Sequence, residues 1–297
     1  MKQKKKHLKQ KPGDIILDIL TYGVIAVMLV IALYPIYFVV IASISNPAAV
    51  SLGEVLLLPK GLNFLGYQKI FEYSRIWVGY RNTICYTLFG TFFSLLCTIP
   101  AAFALSRKEL LFRNQIMFFF AFSMFFSGGL VPTYFLMFRL KMVDTPWVMV
   151  IPFAVNVYNM IVARTFFQSS IAEDLVDAAK IDGCSYSRFF IQIALPLSKA
   201  IIAVIGLYYA VGYWNEYMRG LIYLRNPEYM PLQMILREIL VENVSFGSTG
   251  AEEAMLQQLR DLMKYALIVV STLPVIILYP MLQKYFEKGV MIGSIKG

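Results

Sequence analysis

The chain has 297 residues, of which 59% are hydrophobic and 15% charged, with a net charge of +9 and a mean hydropathy of +0.64. Soluble domains carry about 25% charged residues, so this composition excludes a soluble globular protein and indicates a polytopic membrane protein. The three cysteines (Cys85, Cys97, Cys184) lack disulfide or metal-ligand spacing, and the single His7 lies in a lysine-rich tail, so no metal site is expected.

Six windows are free of Asp, Glu, Lys and Arg, at 19–44, 82–106, 114–138, 145–163, 200–215 and 265–283, and most reach or approach the roughly 20 residues that cross a bilayer core. The expected fold is all-α with six transmembrane helices. With the N-terminus inside, Lys and Arg number 16 inside and 11 outside, against 8 and 10 acids. That is a positive-inside bias, and it puts both termini in the cytoplasm. The excess charge follows topology, so nucleic acid is not an expected partner and the lipid bilayer is.

Residues 1–14 read as a basic cytoplasmic tail that anchors topology, with anionic headgroups as a second use for its lysines. The first span carries Pro35 and ends near Asn46-Pro47. GLNFLGYQKIF, residues 61–71, reads as a short amphipathic packing element on the outer face. The second span holds Gly90, Ser94, Cys97 and Pro100, small or kinking residues that let helices approach closely. SRKELLFR, 106–113, follows as a short basic loop. The third span contains Gly128, Gly129 and Pro132, whose freed backbone groups need protein or a water-filled cavity around them. That leaves a kink lining a pathway and simple close packing as alternatives. Asn156, Tyr158 and Asn159 fall near the cytoplasmic half of the fourth span.

Residues 170–199 then form a polar stretch between hydrophobic spans. Ser170 and Glu173 have capping-box spacing, and Glu173 and Asp174 suit the first turn of a helix. Asp182-Gly183 signals a turn. Ser185 can cap a second helix that runs to Pro196. The expected unit is a helix, a tight turn and a helix on the cytoplasmic side.

The pattern D-A-A-x-x-D-G followed by I-x-L-P resembles the EAA loop of binding-protein-dependent ABC importer permeases. The matching positions are Asp177, Ala178, Ala179, Asp182, Gly183, Ile193, Leu195 and Pro196. Asp177 stands for the family's usual Glu, Cys184 for a small residue and Ala200 for a common Pro. In that family the loop is the coupling helix that docks in a cleft of the ATP-binding cassette subunit. Asn63, Phe64 and Tyr67 also resemble an N-F-x-x-Y stretch of such permeases.

The fifth span ends in Tyr213, Trp214, Asn215 and Glu216, similar to the family's W-N-[DE]-[FY] near the outer gate. Glu216 and Arg219 share a helix face and are expected to pair, which lowers the cost of charge near lipid. An interfacial aromatic belt is the other reading of this group. The 225–264 segment, with its polar GSTGAEE, reads as short helices outside. The sixth span precedes a glycine-rich tail at 287–297. Its Gly293, Ser294, Ile295, Lys296 and Gly297 resemble the tail of maltose-type sugar permeases, which reaches the ATPase dimer interface.

The G-x-x-x-x-G-K-[ST] phosphate loop is missing and no Gly-Lys dipeptide occurs, so this chain is not expected to be the ATPase or any enzyme. No cofactor is expected in it; ATP and magnesium would be bound by partner subunits. The resemblance implies one transmembrane domain, 15–286, with 170–199 as its coupling loop, in the bacterial cytoplasmic membrane. It further implies a second homologous permease, two cassette ATPases, an extracellular solute-binding protein and a carbohydrate substrate. The branch handling aldouronates or lipo-oligosaccharides looks most similar. A permease for amino acids or peptides, and an ion-driven secondary transporter, stay open as alternatives.

Overall fold

A computed structural model describes residues 12–240 and 263–277, and every regular element among them is helical. The basic tail at 1–11, the GSTGAEE stretch and the glycine-rich C-terminal tail lie outside the described residues. The helices in order are α1 (Pro12–Ser43), α2 (Pro47–Ser51), α3 (Leu65–Glu72), α4 (Ser74–Ser106), α5 (Arg113–Phe125), α6 (Leu130–Arg139), α7 (Trp147–Val150) and α8 (Val157–Ser170). They continue as α9 (Glu173–Ile181), α10 (Tyr186–Phe189), a π-helical turn (Phe190–Ala194), α11 (Leu195–Leu197), α12 (Lys199–Trp214) and α13 (Met218–Tyr223). A 3-10 turn (Pro227–Tyr229), α14 (Leu232–Leu240) and α15 (Met263–Ile277) complete the order.

Two described helices, α1 and α4, are long and apolar enough to cross a membrane. Two further pairs reach that length only if each bent pair counts as one span. α5 and α6 meet at 111°, and the Tyr186–Leu197 stretch meets α12 at 82°. The α5–α6 break follows from backbone chemistry. Gly129 sits at φ +83°, where side chains are penalised, and Pro132 falls in the first turn of α6, where no amide donor is needed. A Cβ on Gly128 would be 3.9 Å from Pro132, and one on Gly129 would meet nothing within 4 Å. Of the two readings, these glycines serve the bend and not close packing among the described residues.

The fourth window is not one helix. α7 stops after four residues, 151–156 is non-helical, and α8 continues to Ser170, beyond the expected end. Pro152 has no amide to donate to a continued α7, although Ile151 before it still has α-helical angles, and Asn156 restarts the helix as its N-cap, with Oδ1 accepting from the Asn159 amide at 3.1 Å. Asn156 and Asn159 therefore sit at the start of a 14-residue helix, ~21 Å of rise from its far end.

The chain divides into two compact units, Met1–Ile70 with Phe246–Val270, and Phe71–Ser245 with Ser271–Gly297. In the first, α1 exposes nearly all its large apolar side chains, as a lipid-facing helix does, while Ile41 and Ala42 at its end are buried. Its exit is fixed by the Asn46 amide donating to the Lys60 carbonyl (2.9 Å), the Asn63 amide to Ile44 (2.9 Å), and a bond between Ser43 and Tyr67 hydroxyls (2.8 Å).

The second unit is built on α4, which packs against α8, α12 and α14. Its buried stripe runs Ile76, Gly79, Thr83, Tyr86, Gly90, Ser94 and Thr98, three or four residues apart and mostly small. Polar residues on and beside that stripe bond backbone of the 3-10 turn, the link after it and the start of α14. Asn82 donates to the carbonyls of Glu228 (2.7 Å) and Met230 (3.0 Å), Tyr86 donates to Tyr229 (2.8 Å), and Thr83 accepts from the Leu232 amide (2.8 Å). Every such bond removes an unsatisfied group that would be costly away from water.

Candidate functional site

α9 is the most polar helix between apolar ones. Its Val176 and Ala179 face the core, whereas Leu175, Asp177, Ala178, Ile181 and Asp182 are exposed. It ends in a Schellman turn: the Gly183 amide donates to the Lys180 carbonyl (2.9 Å) and the Cys184 amide to the Ala179 carbonyl (2.8 Å). Gly183 takes φ +73°, and a Cβ there would meet nothing within 4 Å, so glycine is required by conformation and not by space. Ser185 caps α10 through the Arg188 amide at 3.3 Å.

Ser170 does not cap α9. It is the last residue of α8, and the N-cap of α9 is Ala172, with no side-chain bond. Only Ile171 and Ala172 separate the two helices, so Glu173 is the first residue of α9, too early to close a capping box, and its carboxylate goes to Lys108 (2.6 Å) instead.

Of the remaining motif positions, Ile193 and Leu195 pack partly buried against the core, while Pro196 is exposed. Ile193 lies in the π-helical turn, where the Leu195 amide reaches back to the Phe190 carbonyl. The tail residues Gly293 to Gly297 lie outside the described residues.

Contacts that sequence reasoning missed hold this region to the loop after α4. A cation near the last carbonyls of a helix meets a favourable dipole, and a carbonyl there can take a second donor, as Phe167 does beside the Ile171 amide at 3.3 Å. Arg164 on α8 donates from Nε to the Leu105 carbonyl of α4 (2.9 Å), and Arg107 donates to the Phe167 carbonyl of α8 (3.0 Å). Arg107 is only 7% exposed and lies 5.2 Å from the centre of the Phe103 ring. Next along the loop, Lys108 meets Glu173, and Glu109 meets Lys180 at 2.6 Å, which also reaches Asp177 at 3.3 Å. The hydrogen bond from Lys180 holds the Glu109 carboxyl below its usual range, and the same bond raises the Lys180 ammonium above its own. Under this loop runs a groove of about 360 Å³ lined by Phe103, Arg107, Leu110, Tyr186 and Phe190.

The candidate pathway residues fall into two places. Gly128, Gly129 and Pro132 form the α5–α6 break, and Tyr134 of α6 stacks on Tyr223 of α13 at 6.0 Å between ring centres. The others gather where α12 meets the non-helical 151–156 stretch. The Tyr209 hydroxyl bonds Thr98 (2.7 Å) and accepts from the Asn156 amide (2.9 Å); that of Tyr213 bonds Ser94 (3.1 Å) and donates to the Val150 carbonyl (3.3 Å). Two buried tyrosines thus satisfy backbone left open by the broken helix. Asn159 and Trp214 are also buried, the indole donating to the Ser271 carbonyl (3.2 Å), while Asn215 is exposed. Glu216 pairs with Arg219 at 3.0 Å as expected, though not on a shared helix face: it lies in the break between α12 and α13 and accepts the Arg219 amide at 3.0 Å, and the guanidinium lies 4.4 Å from the centre of the Phe153 ring.

Two long apolar helices, two bent apolar helix pairs and a small polar helix held beside one end of α4 make up a helical membrane protein. It belongs to the family of binding-protein-dependent transport system inner membrane components, whose model matches residues 76–292. It is therefore a multi-pass membrane protein of a binding-protein-dependent ABC system. The chain is 37% identical to a polygalacturonan/rhamnogalacturonan transport system permease protein, YtcP of Bacillus subtilis (strain 168), over 94% of this chain and 98% of that one. It is 35% identical to Protein LplC of the same organism, over 90% of each. Among solved structures it resembles a chain of a bacterial ABC transporter involved in the import of the acidic polysaccharide alginate, with a TM-score of 0.86, 34% identity, and coverage of 94% of this chain and 99% of that one.

Proposed function

We propose that this chain is a permease subunit of an ATP-driven carbohydrate importer and that its cargo is an oligosaccharide containing uronic acids. The observation that carries this is the likeness over nearly the whole chain to two proteins named for acidic polysaccharides, alginate and polygalacturonan/rhamnogalacturonan. A galactooligosaccharide permease of Bacillus subtilis (strain 168) at 30% identity adds support for sugars in general. A permease for amino acids or peptides has no comparable support, and family membership counts against an ion-driven carrier.

In this reading one transmembrane domain, 15–286, contains six spans, with both termini and 170–199 in the cytoplasm. It works beside a second homologous permease, two cassette subunits that bind ATP and magnesium, and an extracellular binding protein. The exposed face of α9, with Asp177, Ala178 and Asp182, docks on a cassette; Ala179 and Gly183 shape it, and Ile193, Leu195 and Pro196 carry the motion to α12. Residues 293–297 lie at the cassette interface. The α5–α6 break and the Asn156–Glu216 group line the path and its gate. Closure of the cassettes on ATP pulls α9 and rocks the spans.

The test is uptake of labelled oligogalacturonides into proteoliposomes holding the co-purified complex with ATP inside. Uptake that requires ATP and the binding protein is expected. Uptake that follows an ion gradient and survives loss of the cassettes would sink the reading.

A further inference from the structure

We infer that the loop after α4 is the second half of the coupling element: Arg107, Lys108 and Glu109 are positioning residues that lock α9 to the ends of α4 and α8, so that these parts move as one lever. The inference rests on the permease reading above. Within it, α9 is usually the piece that receives force, yet α9 alone is a poor handle. It is nine residues long, and only Val176 and Ala179 of it are buried.

Two ion pairs pin it at opposite ends, Lys108 to Glu173 at its first residue and Glu109 to Lys180 in its last turn. The anchors are adjacent in the loop, while the pinned residues are seven apart, ~10 Å of helix rise. Two pins so spaced resist rotation of α9 about either one. The loop itself cannot slide, because Arg107 and Arg164 each bond a terminal carbonyl of the other's helix. Beneath them Phe103 of α4 packs edge-on against Phe167 of α8, with ring centres 5.6 Å apart. A pull on α9 is thereby delivered to α4, the helix on which the second unit is built, without passing through the turn at Gly183.

Each ion pair is half-exposed and contributes little to stability. Neutralising the loop residues therefore leaves the spans folded and changes only how firmly α9 is oriented. The experiment uses the complete importer with Cys85, Cys97 and Cys184 replaced by alanine and spin labels at Leu111→Cys on the loop and Asp174→Cys on α9, both exposed positions. Pulsed electron resonance reads their separation in the nucleotide-free and the ATP–vanadate-trapped states.

With the native charges the distance distribution is expected to be the same in both states. In Lys108→Gln/Glu109→Gln it is expected to broaden and to shift on trapping, while Lys180→Arg, which keeps the charge, behaves as native. A native complex whose distance shifts on trapping, or a double variant as narrow and unmoved as the native, would overturn the lever. A purified complex with no cassette subunit is a different result: it overturns the permease reading, and the lever with it.

Discussion

The Tyr213 ring lies directly against the bare Cα of Gly90: a Cβ built on Gly90 would stand 2.6 Å from Cζ and 2.7 Å from both Cε atoms of that ring. The ring cannot swing aside cheaply, because its hydroxyl is tied to Ser94 and to the Val150 carbonyl. Gly90→Ala is therefore expected to destabilise the protein by about 1–3 kcal/mol, the usual cost of overpacking. Thermal unfolding of the detergent-solubilised complex measures it; an unchanged midpoint would mean that α12 shifts freely on α4.

Tyr209→Phe leaves the Asn156 amide and the Thr98 hydroxyl without the partner they share. A buried orphaned group costs about 1–3 kcal/mol, so this single oxygen is expected to lower stability by that amount and to loosen the start of α8. Hydrogen exchange at Asn156 is the local readout, and it should rise well before global unfolding does. Protection equal to that of the native protein would show that water fills the place.

At Gly183 the penalty is conformational. Gly183→Val forces a β-branched residue to φ +73° at a cost of order 1–3 kcal/mol, with no clash to relieve. Membrane abundance and cassette binding of other surfaces should persist while oligosaccharide uptake falls. A variant that is abundant and transports at the native rate would place the coupling turn elsewhere.

Asp144 accepts from the amides of Asn226 (2.8 Å) and Arg225 (2.9 Å), which holds its carboxyl below the usual range. A lowered folded pKa contributes stability that is present above the unfolded value of about 3.9 and is lost as pH falls through the folded one. The turn is thus expected to be independent of pH at neutrality and to weaken only in strong acid. Asp144→Asn keeps an acceptor and tolerates the positive φ of 60°, so it should be nearly neutral, whereas Asp144→Ala exposes both amides. Proteolysis within 139–147 compares the two; equal rates for both variants would refute the role assigned to the carboxylate.

The clamp at α9 has a wide working range for the same reason. Glu109 is lowered, so its contribution is lost only as pH falls through its folded value, and Lys180 is raised, so its contribution is lost only as pH rises through its own. Uptake per ATP hydrolysed should be flat between about pH 5 and pH 9, bracketed by unfolded values near 4.3 and 10.4. A sigmoidal change near neutrality that disappears in Glu109→Gln would contradict this.

What could be read from sequence was whatever leaves a local mark. α9 shows itself by acids in its first turn and glycine after its last. The Glu216–Arg219 pair was legible as a pair but not as a break in the helix, since Glu216 lies between α12 and α13, and the α5–α6 bend follows from Gly128, Gly129 and Pro132. The fourth window misled because absence of charge says where lipid is tolerated, not where helix is continuous, and Pro152 and Asn156 outweigh hydropathy there. Ser170 misled because a cap is recognised only once the preceding helix is known to have ended. The loop clamp left no local mark at all: Lys108 and Glu173 are 65 residues apart, Glu109 and Lys180 are 71 apart, and an R-K-E run reads as an ordinary basic loop.

The π-helical turn at Phe190–Ala194 closes each ring with one residue more than an α-turn does. Everything before it is consequently offset by one residue, ~100° of rotation and ~1.5 Å of rise, from where an uninterrupted helix would carry it. Deleting one residue there should restore plain α-helix but turn the α9–α10 segment, whose Val176, Ala179 and Phe189 are buried, out of register with the core that holds it. The angle at which that segment presents itself is a matter of residue count as much as of side-chain identity.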